Sequence, residues 1–188
     1  MKIHVFNLPS EVRDRLSGWF THLDTDGEPL LIGGVAREAL KVVLLGEEFA
    51  WNAINDRDFT VIGGSSYQRD LSPHGRRRIE VEYGAHHKTI RSYMATRDLS
   101  INQIAVDRHG RVFASGGAVK AYRAKTIEAI ESPTSRMLVR ALRFRKELGF
   151  RLSKPLWKSV IAAGETLRWE PVADRYISEG LLSMEDFQ

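Results

Sequence analysis

The chain has 188 residues, a size that suits one ordinary domain or one domain with a short appendage. Its 43% hydrophobic and 28% charged residues are the balance of a globular chain, and the absence of cysteine excludes disulfides and thiolate metal sites. No apolar run nears the roughly 20 residues of a membrane helix and the N-terminus lacks a signal-peptide core, so a cytoplasmic protein without a membrane partner is expected; the formal charge of +4 admits a nucleic-acid partner without requiring one.

Ile3 and Val5 make a short apolar start. Pro9-Ser10 then precedes Val12, Leu16, Trp19 and Phe20, whose spacing predicts an amphipathic helix with Ser10 as N-cap. Asp24-Thr25-Asp26-Gly27 ends it, and the two aspartates read as loop residues because the other ligands of a calcium loop are missing. Leu30 to Ile32 reads as a short buried strand that breaks at Gly33-Gly34. Helical spacing follows at Val35, Ala39, Val42 and Val43, to about Leu45. Paired glycines permit a tight turn and let backbone amides approach a ligand closely. The amides at the helix start, with Arg37, favour a phosphate group.

Asp56 and Asp58 flank Arg57 ahead of a strand at Phe59 to Ile62, closed by Gly63-Gly64. In extended backbone, residues two apart share a face, with Cα atoms about 6–7 Å apart. Hard oxygen ligands at that spacing suit Mg²⁺ shared with substrate phosphates. Either half alone is also what an ordinary turn and a solvated loop present. Together they suit nucleotidyl transfer, and the lack of GxGxxG and GxxxxGK[ST] removes support for dinucleotide and P-loop sites.

Residues 65–75 read as a loop. Arg76 to Tyr83 then alternates as a strand, with Ile79, Val81 and Tyr83 on one face and Arg78, Glu80 and Glu82 on the other. One of these glutamates completes a metal site if the strand lies beside the aspartates; otherwise the face is solvated. His86 and His87 read as loop residues. Ile101 to Val106 and Arg111 to Phe113 form two strands joined by Asp107-Arg108-His109-Gly110, and Gly116-Gly117 marks a further loop. Ser135 to Leu148 reads as a helix ended by Gly149, with Met137, Ala141, Phe144 and Leu148 inward and Arg136, Arg140 and Arg143 on a separate basic face. Two more helices are expected, from about Pro155 to Gly164 and from Val172 to Glu179.

The order of these segments resembles the head domain of the class II tRNA nucleotidyltransferases, the CCA-adding enzymes and bacterial poly(A) polymerases. The family's GGxVRD…DxD matches Gly33-Gly34-Val35-Ala36-Arg37-Glu38 followed by Asp56-Arg57-Asp58, and RRDFTINA matches Thr96-Arg97-Asp98-Leu99-Ser100-Ile101-Asn102-Gln103. The hairpin YDxxGxLxDPFGG is similar to Val106 through Gly117, and LRAxRFAARLGF to Val139 through Phe150. The resemblance covers about residues 28 to 152.

It implies an α/β (α+β) fold: a nucleotidyltransferase head domain with a mixed sheet backed by helices over residues 1–150, then a short helical neck over 151–188. It further implies a two-metal Mg²⁺ site on Asp56 and Asp58, with Glu80 as third carboxylate and Glu82 in reserve. Gly33, Gly34 and Arg37 would contact the triphosphate of ATP or CTP, while Arg97, Asp98 and Asn102 orient phosphates and ribose; Arg136, Arg140 and Arg143 complete the nucleotide-binding set. The acceptor would be an RNA 3′ end, that of tRNA above all. The family's body and tail have no counterpart in these residues, which leaves open whether a companion chain or a second copy of this one takes their place. The family reads the incoming base through EDxxRxxR, and the matching positions here are Pro133, Thr134, Met137 and Arg140. Arg136 substitutes if the helix start is shifted by one residue. Thr96 and Glu38 also depart from the family pattern. Base selection and acceptor identity are thus left open, with a different acceptor or a degenerate RNA-binding subunit as rival readings, while the phosphate and metal residues are retained.

Overall fold

The computed structural model describes every residue except 22, 24, 55, 65–78, 82–86 and 188. The loop expected at 65–75, the basic run at Arg76, Arg77 and Arg78, and Asp24, Glu82, Tyr83 and His86 lie outside the described residues. The chain forms two compact units, Met1–Arg97 with Asn102–Lys120, and Asp98–Ile101 with Ala121–Gln188. Among the described residues no helix is long and apolar enough to cross a membrane.

The first unit is built on a six-stranded sheet of β1 (Ile3–Asn7), β2 (Glu28–Leu31), β3 (Arg57–Ile62), β4 (Ile79–Val81), β5 (Ile104–Val106) and β6 (Arg111–Ser115). Its order is β1-β6-β5-β2-β3-β4. All neighbours are antiparallel except β3 and β4, which run parallel, so the expected mixed sheet is present. Among the described residues, three helices belong wholly to this unit: α1 (Ser10–Ser17), α2 (Gly33–Leu45) and α3 (Ile90–Ala95). Leu30 and Leu31 are both fully buried although they point to opposite faces of β2, so the sheet is covered on both sides there. Leu30, Ile32, Tyr93, Met94 and Ala105 form a core cluster, and α2 buries Val35, Ala36, Ala39 and Leu40.

Several expectations need correction. Ser10 is the first residue of α1, not its cap; Pro9 stands at the cap position without a side-chain hydrogen bond, its φ of −52° already suited to the entry. The helix expected to continue to Phe20 tightens after Ser17 into a 3-10 turn, Gly18–Phe20. Ile101 sits in a 3-10 turn, Ser100–Asn102, so the expected strand starts only at Ile104. Gly116-Gly117 is no loop but the start of α4 (Gly116–Ala124). Ser115 accounts for this, because its Oγ accepts from the Ala118 amide at 2.9 Å and caps a helix that two glycines would otherwise disfavour. Gly110, by contrast, has the positive φ (+74°) expected of the hairpin turn.

The second unit pairs two short parallel strands, β7 (Thr126–Ile127) and β8 (Arg151–Leu152), and contains α5 (Ser135–Leu148), α6 (Lys154–Ala163) and α7 (Pro171–Ser178). α5 has the predicted limits: Thr134 caps it by accepting from the Met137 amide at 3.3 Å, and Gly149 ends it at φ +65°. Met137, Ala141 and Phe144 are buried as the stripe requires, with Leu148 half-buried. At the end of the unit Asp186 accepts from the Ser183 amide (2.6 Å), the Ser183 hydroxyl (2.9 Å) and Lys146 Nζ (2.9 Å). Partial burial works to raise the Asp186 pKa, but the Ser183 and Lys146 donors outweigh it and hold the carboxyl below its ordinary value. Its stabilising contribution is therefore present above the ordinary carboxylate pKa of about 3.9 and lost as pH falls through the lower folded value. In urea unfolding between pH 3 and pH 6, Asp186→Asn should remove that part of the acid dependence and leave the remainder.

Candidate active site

The first unit assembles its candidate site where β2 runs into α2 beside β3. β2 and β3 pair with Leu31 opposite Phe59, and the Ile32 amide donates to the Asp58 carbonyl at 2.9 Å. This brings the turn at Gly33 against the start of β3. Gly33 has φ +64°, and a Cβ built on it would stand 2.4 Å from Asp58 Oδ2. Glycine is required on both counts: the conformation disfavours L side chains, and the Asp58 carboxylate occupies the space a methyl would need. Gly34 is different, since its added Cβ would meet only Arg37 Nη2, at an ordinary 3.9 Å.

Arg37 lies one turn into α2 and is only 7% exposed. Its guanidinium folds back toward the helix start, and Nη1 donates to Asn102 Oδ1 at 3.4 Å. A cation is thus added to the positive end of a helix whose N-cap residue, Ile32, offers no side-chain acceptor. Glu38, at the family's aspartate position, is buried and ion-paired to Lys41 at 2.6 Å. Asp56 is exposed and stands one residue before β3; Asp58 is half-buried within it. β4 pairs in parallel with β3 so that Asp58 and Glu80 are Cα partners. Among the described residues no group of three His, Cys, Asp or Glu side chains gathers as a metal site, and the Glu80 side chain is outside that description. The donor set still fits a hard divalent cation: carboxylate oxygens on adjacent backbone, one of them seated over a glycine that leaves room for it.

Arg97 and Asn102, at either side of the 98–101 segment, also belong to the first unit. Arg97 Nη2 donates to Thr96 Oγ1 at 3.1 Å, and its guanidinium lies 4.6 Å from the Tyr93 ring centre. Thr96 therefore serves as an acceptor where the family has a second arginine. Sequence reasoning missed Gln103. It is 4% exposed, donates to the Met94 carbonyl at 2.9 Å and accepts from Ser115 Oγ at 2.6 Å. Because the Met94 carbonyl also accepts from the Arg97 amide at 3.3 Å, Gln103 anchors the turn bearing Arg97 as well as its own neighbour Asn102. The signal was present as a long polar side chain at the alanine position of the family's motif.

The second unit holds Asp98, Arg136, Arg140 and Arg143. Arg140 Nη1 forms an ion pair with Asp98 Oδ2. Arg143 pairs with Glu147 at 3.1 Å and lies 4.9 Å from the Tyr176 ring centre. Arg136 is exposed, whereas Met137 is buried. The expected basic face is thus partly neutralised by carboxylates within its own unit.

No model of a protein family matches the chain. A CCA-adding enzyme of Anoxybacillus flavithermus is 30% identical over 87 residues, 43% of this chain and 22% of that relative. Among solved structures, the Bacillus stearothermophilus CCA-adding enzyme in complex with CTP superposes with a TM-score of 0.59 at 18% identity, over 91% of this chain and 46% of that one. The Thermotoga maritima CCA-adding enzyme complexed with tRNA gives 0.55 at 20% identity, over 90% and 50%. The chain therefore spans about half of these solved chains, and the stretch it shares with the curated relative is less than a quarter of that relative's length. The resemblance read from the motifs is borne out: this chain is similar in sequence to the CCA-adding enzymes and has the mixed α/β fold of their solved structures.

Proposed function

We propose that the chain is a metal-dependent nucleotidyltransferase that adds CMP or AMP from nucleoside triphosphates to an RNA 3′ end, as in tRNA CCA addition or repair. The approach of the Asp58 carboxylate to Gly33 carries the reading, because it sets a carboxylate against the glycine turn that opens α2. In this reading Asp56 and Asp58 hold Mg²⁺, with Glu80 as third ligand. A cation held there would supply neutralisation of charge on the triphosphate and would make the 3′-hydroxyl easier to deprotonate. The 3′-hydroxyl gives up its proton to water, its oxygen forms a bond to the α-phosphorus as the bond to the bridging oxygen breaks, and pyrophosphate leaves with the electron pair. The α2 amides and Arg37 bind the phosphates, Asn102 orients Arg37, and Arg97 meets the remaining phosphate charge.

The test is to offer labelled CTP and ATP with Mg²⁺ to tRNAs ending at the discriminator base, at C and at CC. Stepwise extension of each supports the reading; no product with any acceptor overturns it. Two features favour the rivals, a different acceptor or a non-catalytic RNA-binding subunit: Thr134 is committed as the α5 cap, and Met137 is buried at a position the family gives to a base-reading arginine. Product formed on a non-RNA acceptor, or RNA binding without product, would select between them.

The third carboxylate can be tested separately. Glu80→Gln should lower turnover far more than Glu82→Gln, because the register sets Glu80 opposite Asp58. The reverse order in steady-state rates would transfer the role to Glu82.

A further inference from the structure

In the second unit, α6 carries the sequence Lys-Pro-Leu-Trp-Lys-Ser-Val-Ile-Ala-Ala, which contains no acidic residue. At 3.6 residues per turn, Lys154, Trp157, Lys158 and Ile161 fall within an arc of about 100°, opposite the buried Leu156 and Val160. All four are exposed, Trp157 by 38% and Ile161 by 62%. Arg145, at the end of α5, holds its guanidinium 5.0 Å from the Trp157 ring centre. Its neighbours Lys146 and Glu147 are ion-paired, whereas Arg145 has no carboxylate partner among the described residues. The same pairing of indole and guanidinium recurs at Trp169, which is 72% exposed with Arg168 4.3 Å from its ring centre.

This arrangement is not what helix stability asks for. Cations near a helix N-terminus oppose the macrodipole, yet Lys154 opens α6 and Lys158 follows one turn on, with no acid in the first turn to offset them. The charges and the dipole instead add to a positive field beside an exposed aromatic face. Carboxylates lie on another flank of α6: Glu128 and Glu131 line a cavity of about 320 Å³ with Pro155, Leu156 and Ser159. A purely apolar protein partner would leave these cations without function, whereas a single-stranded nucleic acid uses both elements, phosphates on the cations and a base on the ring.

We propose that the Trp157 face of α6, flanked by Lys154, Lys158 and Arg145, binds single-stranded RNA by base stacking and phosphate contacts. The inference deepens the proposed function, on which it rests for the choice of RNA, and gives the acceptor a docking surface.

The probe is a labelled single-stranded RNA of about twelve nucleotides, bound to the full chain without nucleotide and followed by fluorescence anisotropy over a salt series. Trp157→Ala should weaken binding about tenfold, while Trp157→Phe retains most of it. The Lys154→Ala/Lys158→Ala double variant should lower the log–log salt slope by about 1.4, at roughly 0.7 per phosphate contact. Unchanged affinity and slope in correctly folded variants would overturn the inference. So would concentration-dependent self-association that Trp157→Ala abolishes, which would make the face a protein interface. Failure of the enzymatic reading looks different: a chain that extends no acceptor yet binds RNA through Trp157 loses the activity and keeps the surface.

Discussion

Asp58→Ala should fold normally and lose nucleotide transfer by about a thousandfold or more. Charge stabilisation by a bound metal is worth several kcal/mol, and each ~1.4 kcal/mol is tenfold in rate. Asp58 is half-buried and seats its carboxylate over Gly33, so truncation removes oxygen donors and leaves the turn free of any new collision. Asp58→Asn keeps the shape and removes only the charge, and it should lose nearly as much. Single-turnover rates at saturating Mg²⁺ and nucleotide, with thermal melts as a check on folding, decide the matter. Near-normal turnover by either folded variant would remove Asp58 from the site.

Gly33→Ala should be damaging in a different way. Alanine at φ +64° costs about 1–2 kcal/mol, and its methyl would fall 2.4 Å from Asp58 Oδ2, so the carboxylate must move. Misplacement of a reacting group by about 1 Å costs on the order of a hundredfold. Both the melting temperature and kcat should therefore drop. Gly34→Ala is the control, because its methyl meets only Arg37 Nη2 at 3.9 Å. That variant should keep its stability, and if nucleotide phosphates approach the backbone there, it should raise KM with little change in kcat. Equal effects of the two substitutions would mean that the Gly33–Asp58 approach does not matter to the reaction.

Local signals carried much of the fold. Both ends of α5, the positive φ of Gly110, and the run from β2 into α2 follow from caps, turn glycines and periodicity within a few residues of each feature. What failed depended on distant partners. β1 is a short stretch with little alternation, and it is a strand because it pairs along its whole length with β6, more than a hundred residues later. Gly116-Gly117 reads as a loop until Ser115, itself held by Gln103, is seen capping the helix they start. The same division runs through the site. The aspartates, glycines and Arg37 were legible as residue types that suit metal and phosphate, but the closeness of Asp58 to Gly33 arises from the β2–β3 register, which no local pattern encodes. Arg140 and Arg143 were legible as a basic stripe, while their carboxylate partners were not.

The short segment Asp98–Ile101 bears on how the chain is made. It belongs with Ala121–Gln188, although the residues on either side of it belong to the first unit. Its bonds run to residues still to come: Ser100 exchanges hydrogen bonds with Glu128, the Ile130 amide donates to the Asp98 carbonyl, and Leu99 bridges Ala129. A ribosome adding about 5–20 residues per second delivers those partners only seconds after the segment itself. The backbone between Arg97 and Asn102 gains these bonds only then, so the link between this pair of nucleotide-site candidates is completed after β6 has been made.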